Sequence, residues 1–448
     1  MVTIVQKSDL SIRKRGAKIA LVLAGGAVTG GAYELGGLKA LSDLIVNKDI
    51  TDFDMYVGLS AGAFLAAPLA CGLSPEELLA SLDGKSDVLT QFSVFSLYHP
   101  NWSEFIIKPL NYLYDFASSV PRFALNFMQS LLLPESKLFS SFMNLWRRPG
   151  YTAIDNFMKT FIGTVLAAHP LPSILDAIPT GIFDNSHIEK YFRENFKRNG
   201  WKNTFVDIYN RRRKELYITA INLDTAERVV FGYDENSSLT VSEAIQASTA
   251  MPVFFNPARI KGVEYIDGGI AATANIDVAV KHGASLLICY NPFRPIKNEI
   301  VVRWLRDIDA YSTDKPHLSE RGLLMILNQA LRTLLYTRLH TALKQYEDNI
   351  DFRGDIILIE PEPYEHGFFL MNPLAFWRRM KAAEDGFIST KGSLERNYPA
   401  IKKILGSYGL ETSMLHIQQG IDKLSGSGEA ALEVLTHENI KRDVRVLL

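Results

Sequence analysis

Residues 53–67 read Phe53-Asp54-Met55-Tyr56-Val57-Gly58-Leu59-Ser60-Ala61-Gly62-Ala63-Phe64-Leu65-Ala66-Ala67, and the fold turns on them. Phe53–Val57 is a short strand-like run, and Ala61–Ala70 is small and helix-competent. The junction, Gly58-Leu59-Ser60-Ala61-Gly62, fits G-x-S-x-G, the sharp elbow that lifts a serine hydroxyl off the end of a sheet. Gly58 and Gly62 form the elbow because a side chain at either would clash in so tight a turn. The five-residue pattern alone is weak, and its strand-to-helix setting gives it weight. Read functionally, Ser60 is a nucleophile that cleaves esters. Read blandly, it is a buried serine in a glycine-rich turn.

Downstream, Pro68 is expected to kink or shorten the helix, and Gly72 suits its stop. Ser74-Pro75-Glu76-Glu77 opens the next helix, with Ser74 as N-cap and Glu77 closing a capping box.

The whole chain sets bounds on this reading. Its 448 residues make one large or two ordinary domains. Hydrophobic residues are 47% and the net charge is −1, a globular balance without the basic surplus of a nucleic-acid partner. Cys71 and Cys289 give neither a disulfide framework nor a zinc pattern, and they fit a reducing, cytoplasmic compartment. Arg13-Lys14-Arg15 and Lys18 ahead of Ile19–Ala24 imitate a signal peptide, but the apolar run dissolves into Gly25-Gly26 and reads better as a first core strand. No 18-residue uncharged apolar stretch exists, so no transmembrane helix is expected.

Strand-like and helical runs alternate, which predicts an α/β domain with a largely parallel sheet. Strands are expected at Lys18–Leu23, Phe53–Val57, Glu215–Asn222, Arg228–Phe231, Ser285–Tyr290 and Asp355–Ile359. Helices are expected at Ala32–Asn47, Ala61–Ala70, Val241–Ala247, Asn275–His282, Glu320–Asp348 and Met371–Ser389. Residues 85–178 break the alternation with a run rich in Phe, Leu, Tyr and Trp and light in charge. Such helices bury their apolar face in their own core, cover a greasy site as a cap or lid, or form a dimer surface. The expected organisation is a core of residues 1–84 and 179–395, an apolar helical insertion at 85–178, and a peripheral segment at 396–448. That last segment holds a linker, Leu424–Glu429, and a short helix, Ala430–Thr436.

A second glycine-rich loop, Ala24-Gly25-Gly26-Ala27-Val28-Thr29-Gly30-Gly31, lies between the first strand and an amphipathic helix. It presents backbone N–H groups at a helix N-terminus, where negative charge is favoured. Gly31-Ala32 stands where a Walker A loop needs Lys-Ser/Thr, and G-x-G-x-x-G is absent, so a nucleotide site fits poorly. Beside a serine nucleophile the same amides can hold an oxyanion.

A conventional triad needs a histidine downstream of Ser60. None of the nine, His99, His169, His187, His282, His317, His340, His366, His416 and His437, sits in an obvious loop of small residues. Asp267, in Tyr265-Ile266-Asp267-Gly268-Gly269, is the alternative base, and Gly268 and Gly269 would let another loop approach. An aspartate in water is a poor base at neutral pH, so Asp267 would need desolvation. Asp-Gly-Gly is also a common turn.

Four blocks occur in an order that resembles the patatin-like phospholipase family. They are Gly25-Gly26-Ala27-Val28-Thr29-Gly30, Gly58-Leu59-Ser60-Ala61-Gly62, Ala247-Ser248-Thr249-Ala250-Met251-Pro252 and Asp267-Gly268-Gly269. The resemblance covers residues 18–72 and about 181–291, more weakly 355–390. It implies a three-layer α/β/α hydrolase with a Ser–Asp dyad: Ser60 as nucleophile, Asp267 as base, and amides around Gly25, Gly26 and Ala27 as oxyanion hole. Ser248 and Pro252 are expected to pack or position. Ala27 departs from the usual third glycine, and Val28-Thr29 from the Ala-Arg of many members. Without that cation the hole rests on backbone dipoles.

The expectation is therefore a phospholipase A or lysophospholipase-like lipid acyl hydrolase that needs no metal or organic cofactor and touches a membrane surface peripherally. Its rivals are an inert membrane- or partner-binding scaffold on the same fold, and a histidine-using α/β-hydrolase.

Overall fold

A computed structural model describes residues 1–168, 173–305 and 310–415. The linker at Leu424–Glu429, the helix at Ala430–Thr436, and His169, His416 and His437 lie outside the described residues.

Nine strands form the main sheet: β1 (Val2–Gln6), β2 (Lys18–Leu23), β3 (Met55–Gly58), β4 (Glu215–Asn222), β5 (Arg228–Phe231), β6 (Ala258–Ile260), β7 (Val263–Asp267), β8 (Ala284–Tyr290) and β9 (Asp355–Ile359). The strands β9, β8, β2, β3 and β4 are mutually parallel neighbours in that order. Antiparallel β1 flanks β9, while β5, β6 and β7 extend the other end. Four of the six strands expected from sequence have the bounds read from it.

The central strands are buried on both faces, as parallel strands between helical layers are. On one face Ala20, Val22, Met55, Val57, Leu287 and Leu358 join a cluster with Ile276 and Val278 of the Ile276–Lys281 helix and Leu335 and Leu339 of the Leu323–Asp348 helix. On the other face Tyr290 meets α1 (Ala27–Leu44) and the Arg379–Arg396 helix. Its ring lies against Gly37 and 6.4 Å from the Tyr33 ring, and its hydroxyl bonds Thr390 Oγ1 at 2.5 Å. The three layers follow from these contacts.

The helix after the elbow, α2 (Ala61–Cys71), runs through Pro68 instead of stopping near it. Burial of Leu65–Cys71 holds its last turn, and Gly72, at φ 101, caps it in the left-handed region. The next helix, Pro75–Leu82, carries the complete Ser74/Glu77 capping box.

The chain divides into two compact units. The first comprises Met1–His99 with Asn185 onward, and the second is Pro100–Asp184. The second unit overlaps the apolar stretch read at 85–178. Its helices Trp102–Leu132, Lys137–Arg147 and Tyr151–Ala168 pack through pairs such as Phe127–Phe161 and Phe142–Phe157. In the first unit the Tyr398–Ser407 helix, inside the segment read as peripheral, buries Ile401, Ile404 and Leu405. Among the described residues, no helix is long and apolar enough to cross a membrane.

Candidate active site

Ser60 sits between β3 and α2 with φ 54 and ψ −128, a conformation that residues with a Cβ rarely enter. Hydrogen bonds hold it there. Its N–H donates to Ser248 Oγ at 2.9 Å, the Leu59 N–H to Leu23 O at 3.0 Å, and the Gly62 N–H to Leu59 O at 2.7 Å. Thus Ser248, expected to pack or position, holds the elbow by a hydrogen bond. The N-terminus of α2 starts at the next residue, so the positive end of its dipole lies beside Ser60.

The glycine loop packs directly on this elbow. A Cβ on Gly25 would stand 2.5 Å from Leu59 O and 2.7 Å from Gly62 N, and one on Gly62 would stand 2.2 Å from Leu23 O. These are backbone atoms with no freedom to withdraw. Gly25, Gly26 and Ala27 have successive φ values of 75, 144 and 55. Ala27 therefore holds a left-handed conformation that a glycine would adopt without strain. The helix starts here, five residues before the expected Ala32, because Gly31, Gly36 and Gly37 serve close packing inside it. One detail differs from expectation: the Gly25 N–H is engaged inside the protein, donating to Glu34 Oε2 at 3.2 Å.

The strand register brings Asp267 to the same place. On β4, Ile218 pairs with Gly58 of β3, and Ala220 pairs with Asp267 of β7. Strands β5 and β7 both pair with Ala220 and Ile221, so they must occupy opposite edges of β4. Because β5 also pairs with Ile218 opposite Gly58, β3 and β7 share the remaining edge. They meet there end to end, two residues apart in register. Side-chain packing agrees: a Cβ on Gly268 would stand 2.9 Å from Leu59 Cδ1, and one on Gly269 3.5 Å from Leu59 Cδ2.

Asp267 is 0% exposed. Its Oδ1 accepts the Gly269 N–H at 2.8 Å, and its own N–H donates to Ala250 O at 3.0 Å. Burial raises its carboxyl from the usual 3.8 to about 6, against the opposing pull of the Ser60 hydroxyl and the Gly269 amide. The Ser60 hydroxyl is thus near enough to act on the acid, yet no hydrogen bond of ordinary length joins them, and Oδ2 is a buried acceptor without a partner. Catalytic hydrogen bonds are often long in a free enzyme and tighten once substrate binds.

His282 bonds Glu235 at 3.0 Å and stacks on Tyr217, while His340 bonds Glu360 at 2.9 Å. Both Cys71 and Cys289 are buried free thiols, with burial pushing Cys71 up to about 12. A cavity of about 410 Å³, lined among others by Arg228, Ala271, Thr273, Asp277, Arg338 and Tyr346, opens beyond the Asp267 loop without including Ser60 or Asp267. Sequence reasoning passed over Glu34. Within Ala32-Tyr33-Glu34-Leu35 an acid reads as a solvated helix position, and only its distance from the loop reveals otherwise.

A sheet of this order, with a strained serine at a strand-to-helix elbow and a buried acid end-on to it, defines an α/β protein of the nucleophile-elbow class. More particularly, the chain belongs to the patatin-like phospholipase family, whose family model matches residues 21–280. It is 23% identical over 262 residues to Probable lipid hydrolase 463L of Invertebrate iridescent virus 6, a match covering 58% of this chain and 63% of that relative. The chain thus spans less than two thirds of the length of that relative. Among solved structures it is similar to VipD from Legionella pneumophila, at 16% identity and TM-score 0.35 over 92% of this chain and 76% of that one. It is also similar to ExoU from the type III secretion system of Pseudomonas aeruginosa, at 17% identity and TM-score 0.26 over 99% and 74%. Structural likenesses this low carry no weight for the site.

Proposed function

We propose that this chain is a lipid acyl hydrolase of the phospholipase A or lysophospholipase type, working through Ser60 and Asp267. The end-to-end approach of β3 and β7 on one edge of β4 carries the reading, because Ser60 follows the end of one strand and the desolvated Asp267 ends the other, two residues apart in register. Asp267, ionised, accepts the Ser60 proton on Oδ2 as Oγ attacks the acyl carbonyl. The amides of Gly26 and Ala27 hold the oxyanion, and Gly25 shapes the loop. The proton passes to the departing alcohol, leaving an acyl-enzyme. Water, deprotonated by Asp267, then releases the fatty acid and restores Ser60.

Substrate chemistry matches the second unit. Among the described residues, 22 of the 43 exposed large apolar side chains lie within residues 100–184, about a fifth of the chain. Trp102, Tyr114, Trp146 and Tyr151 are among them, and Trp and Tyr favour the boundary between lipid and water. This supports a peripheral contact with a lipid surface, with the apolar insertion as a cap or entry for acyl chains.

Ala27 and Val28-Thr29 in the glycine block favour a second reading, a weakly active or inert lipid-binding protein on the same fold. A fluorogenic short-chain ester separates the two. Purified protein should hydrolyse it, and Ser60→Ala should remove turnover with folding intact. Equal turnover in that variant refutes the serine assignment.

A further inference from the structure

The mechanism leaves one buried acid unused. Glu34 is 0% exposed on α1. Its Oε2 accepts the Gly25 N–H at 3.2 Å, and its Oε1 is buried without a hydrogen-bond partner. A buried carboxyl with no cation beside it is costly, so its retention needs a reason.

We infer that Glu34 is the positioning residue of the oxyanion loop: by drawing the Gly25 amide inward it fixes the peptide planes that offer Gly26 and Ala27 to the acyl carbonyl. This rests on the proposed serine hydrolase. Gly25 and Gly26 take their positive φ values freely, whereas Ala27 keeps φ 55 only where surrounding groups dictate it. Gly25 is pressed on the elbow, Gly26 lies against Pro292, and the Gly30 N–H returns to Gly26 O at 3.0 Å. None of these contacts chooses the direction of the Gly25 peptide plane; the bond to Glu34 does. Burial raises the Glu34 carboxyl well above its ordinary range, against the opposing pull of the Gly25 amide.

Glu34→Gln keeps an acceptor of the same shape, whereas Glu34→Leu removes it at similar volume. Steady-state kinetics on the fluorogenic ester should give Glu34→Gln a kcat within about three-fold of the parent. Glu34→Leu should lose about 10²-fold in kcat with KM within about three-fold, the cost typical of a misplaced donor. A folded Glu34→Leu with parental kcat overturns the inference, as does a Glu34→Gln that falls as far as Glu34→Leu. Should Glu34→Leu not fold, hydrogen exchange in the parent decides: a protected Gly25 amide that Glu34→Gln preserves is required, and exchange at exposed-loop rates refutes it. Ser60→Ala run alongside keeps the ideas apart. Equal turnover there overturns the serine reading, and this inference with it, whereas a dead Ser60→Ala beside an unaffected Glu34→Leu overturns this inference alone.

Discussion

Asp267 is asked to take a proton from Ser60, and its surroundings set the pH at which it can. With its carboxyl near 6, kcat/KM should rise through about pH 6 and level off above it. A pH–rate profile flat from 5 to 8 on the ester would contradict this role. The same burial has a cost in stability. An acid held at about 6 when folded, against 3.8 ordinarily, binds its proton more tightly in the native state. Its contribution is therefore full below about pH 4, declines as pH rises to about 6, and stays low above that. Asp267→Asn keeps the Oδ1 acceptor for Gly269 and should abolish turnover while raising stability at pH 8 by about 2–3 kcal/mol, measured by urea unfolding. Ala27→Gly should stabilise by about 1 kcal/mol, since φ 55 suits glycine, and the same unfolding midpoints test it. Ser60 was legible because its elbow is written in five consecutive residues. Asp267 stood out only as one Asp-Gly-Gly turn, because what distinguishes it is a strand register and total burial, neither of which spacing encodes. Glu34 was hidden for the same reason.

Strands proved easier to read than helix ends. Lys18–Leu23 and Asp355–Ile359 are each one charged residue followed by an unbroken apolar run, the pattern of strands covered on both faces, and their bounds match the sequence reading. Strand β1 escaped notice because Val2–Gln6 is short and draws its pairing from β9, over 340 residues away. Local propensity misled at both helices of the covering layer. Glycines argued for a late start to α1, yet they are what lets it touch the Arg379–Arg396 helix. A Cβ on Gly36 would stand 1.8 Å from Ala383 O, and one on Gly386 2.0 Å from Tyr33 O. The partner helix was expected at Met371–Ser389 and begins at Arg379, after Pro373, whose carbonyl accepts the Thr29 N–H at 3.1 Å. Gly386→Ala must push two backbones apart, and should cost about 1–3 kcal/mol or more in urea unfolding. A variant as stable as the parent would show that the crossing is looser than described.

At the scale of the molecule, Ser60 and Asp267 lie in the first unit, and about half of the exposed large apolar side chains of the described residues lie in the second. The alternation of strands and helices made the first unit readable as α/β, and composition alone flagged the second. What composition could not supply was which of its apolar side chains face outward. Residues 100–184 hold six acidic and six basic residues, so attraction to anionic headgroups is not what the unit offers. Replacing Trp102, Leu113 and Trp146 together by Ser should lower hydrolysis of phosphatidylcholine vesicles several-fold and leave the soluble short-chain ester untouched. Equal loss on both substrates would contradict the lipid-surface role. The central claim remains that Ser60 is an activated nucleophile. Reaction with a fluorophosphonate, followed by intact-mass and peptide mass spectrometry, tests it most directly. The account requires one adduct per chain on the peptide bearing Ser60, lost in Ser60→Ala and slowed in Asp267→Asn; a parent protein that stays unlabelled, or labels elsewhere, contradicts it.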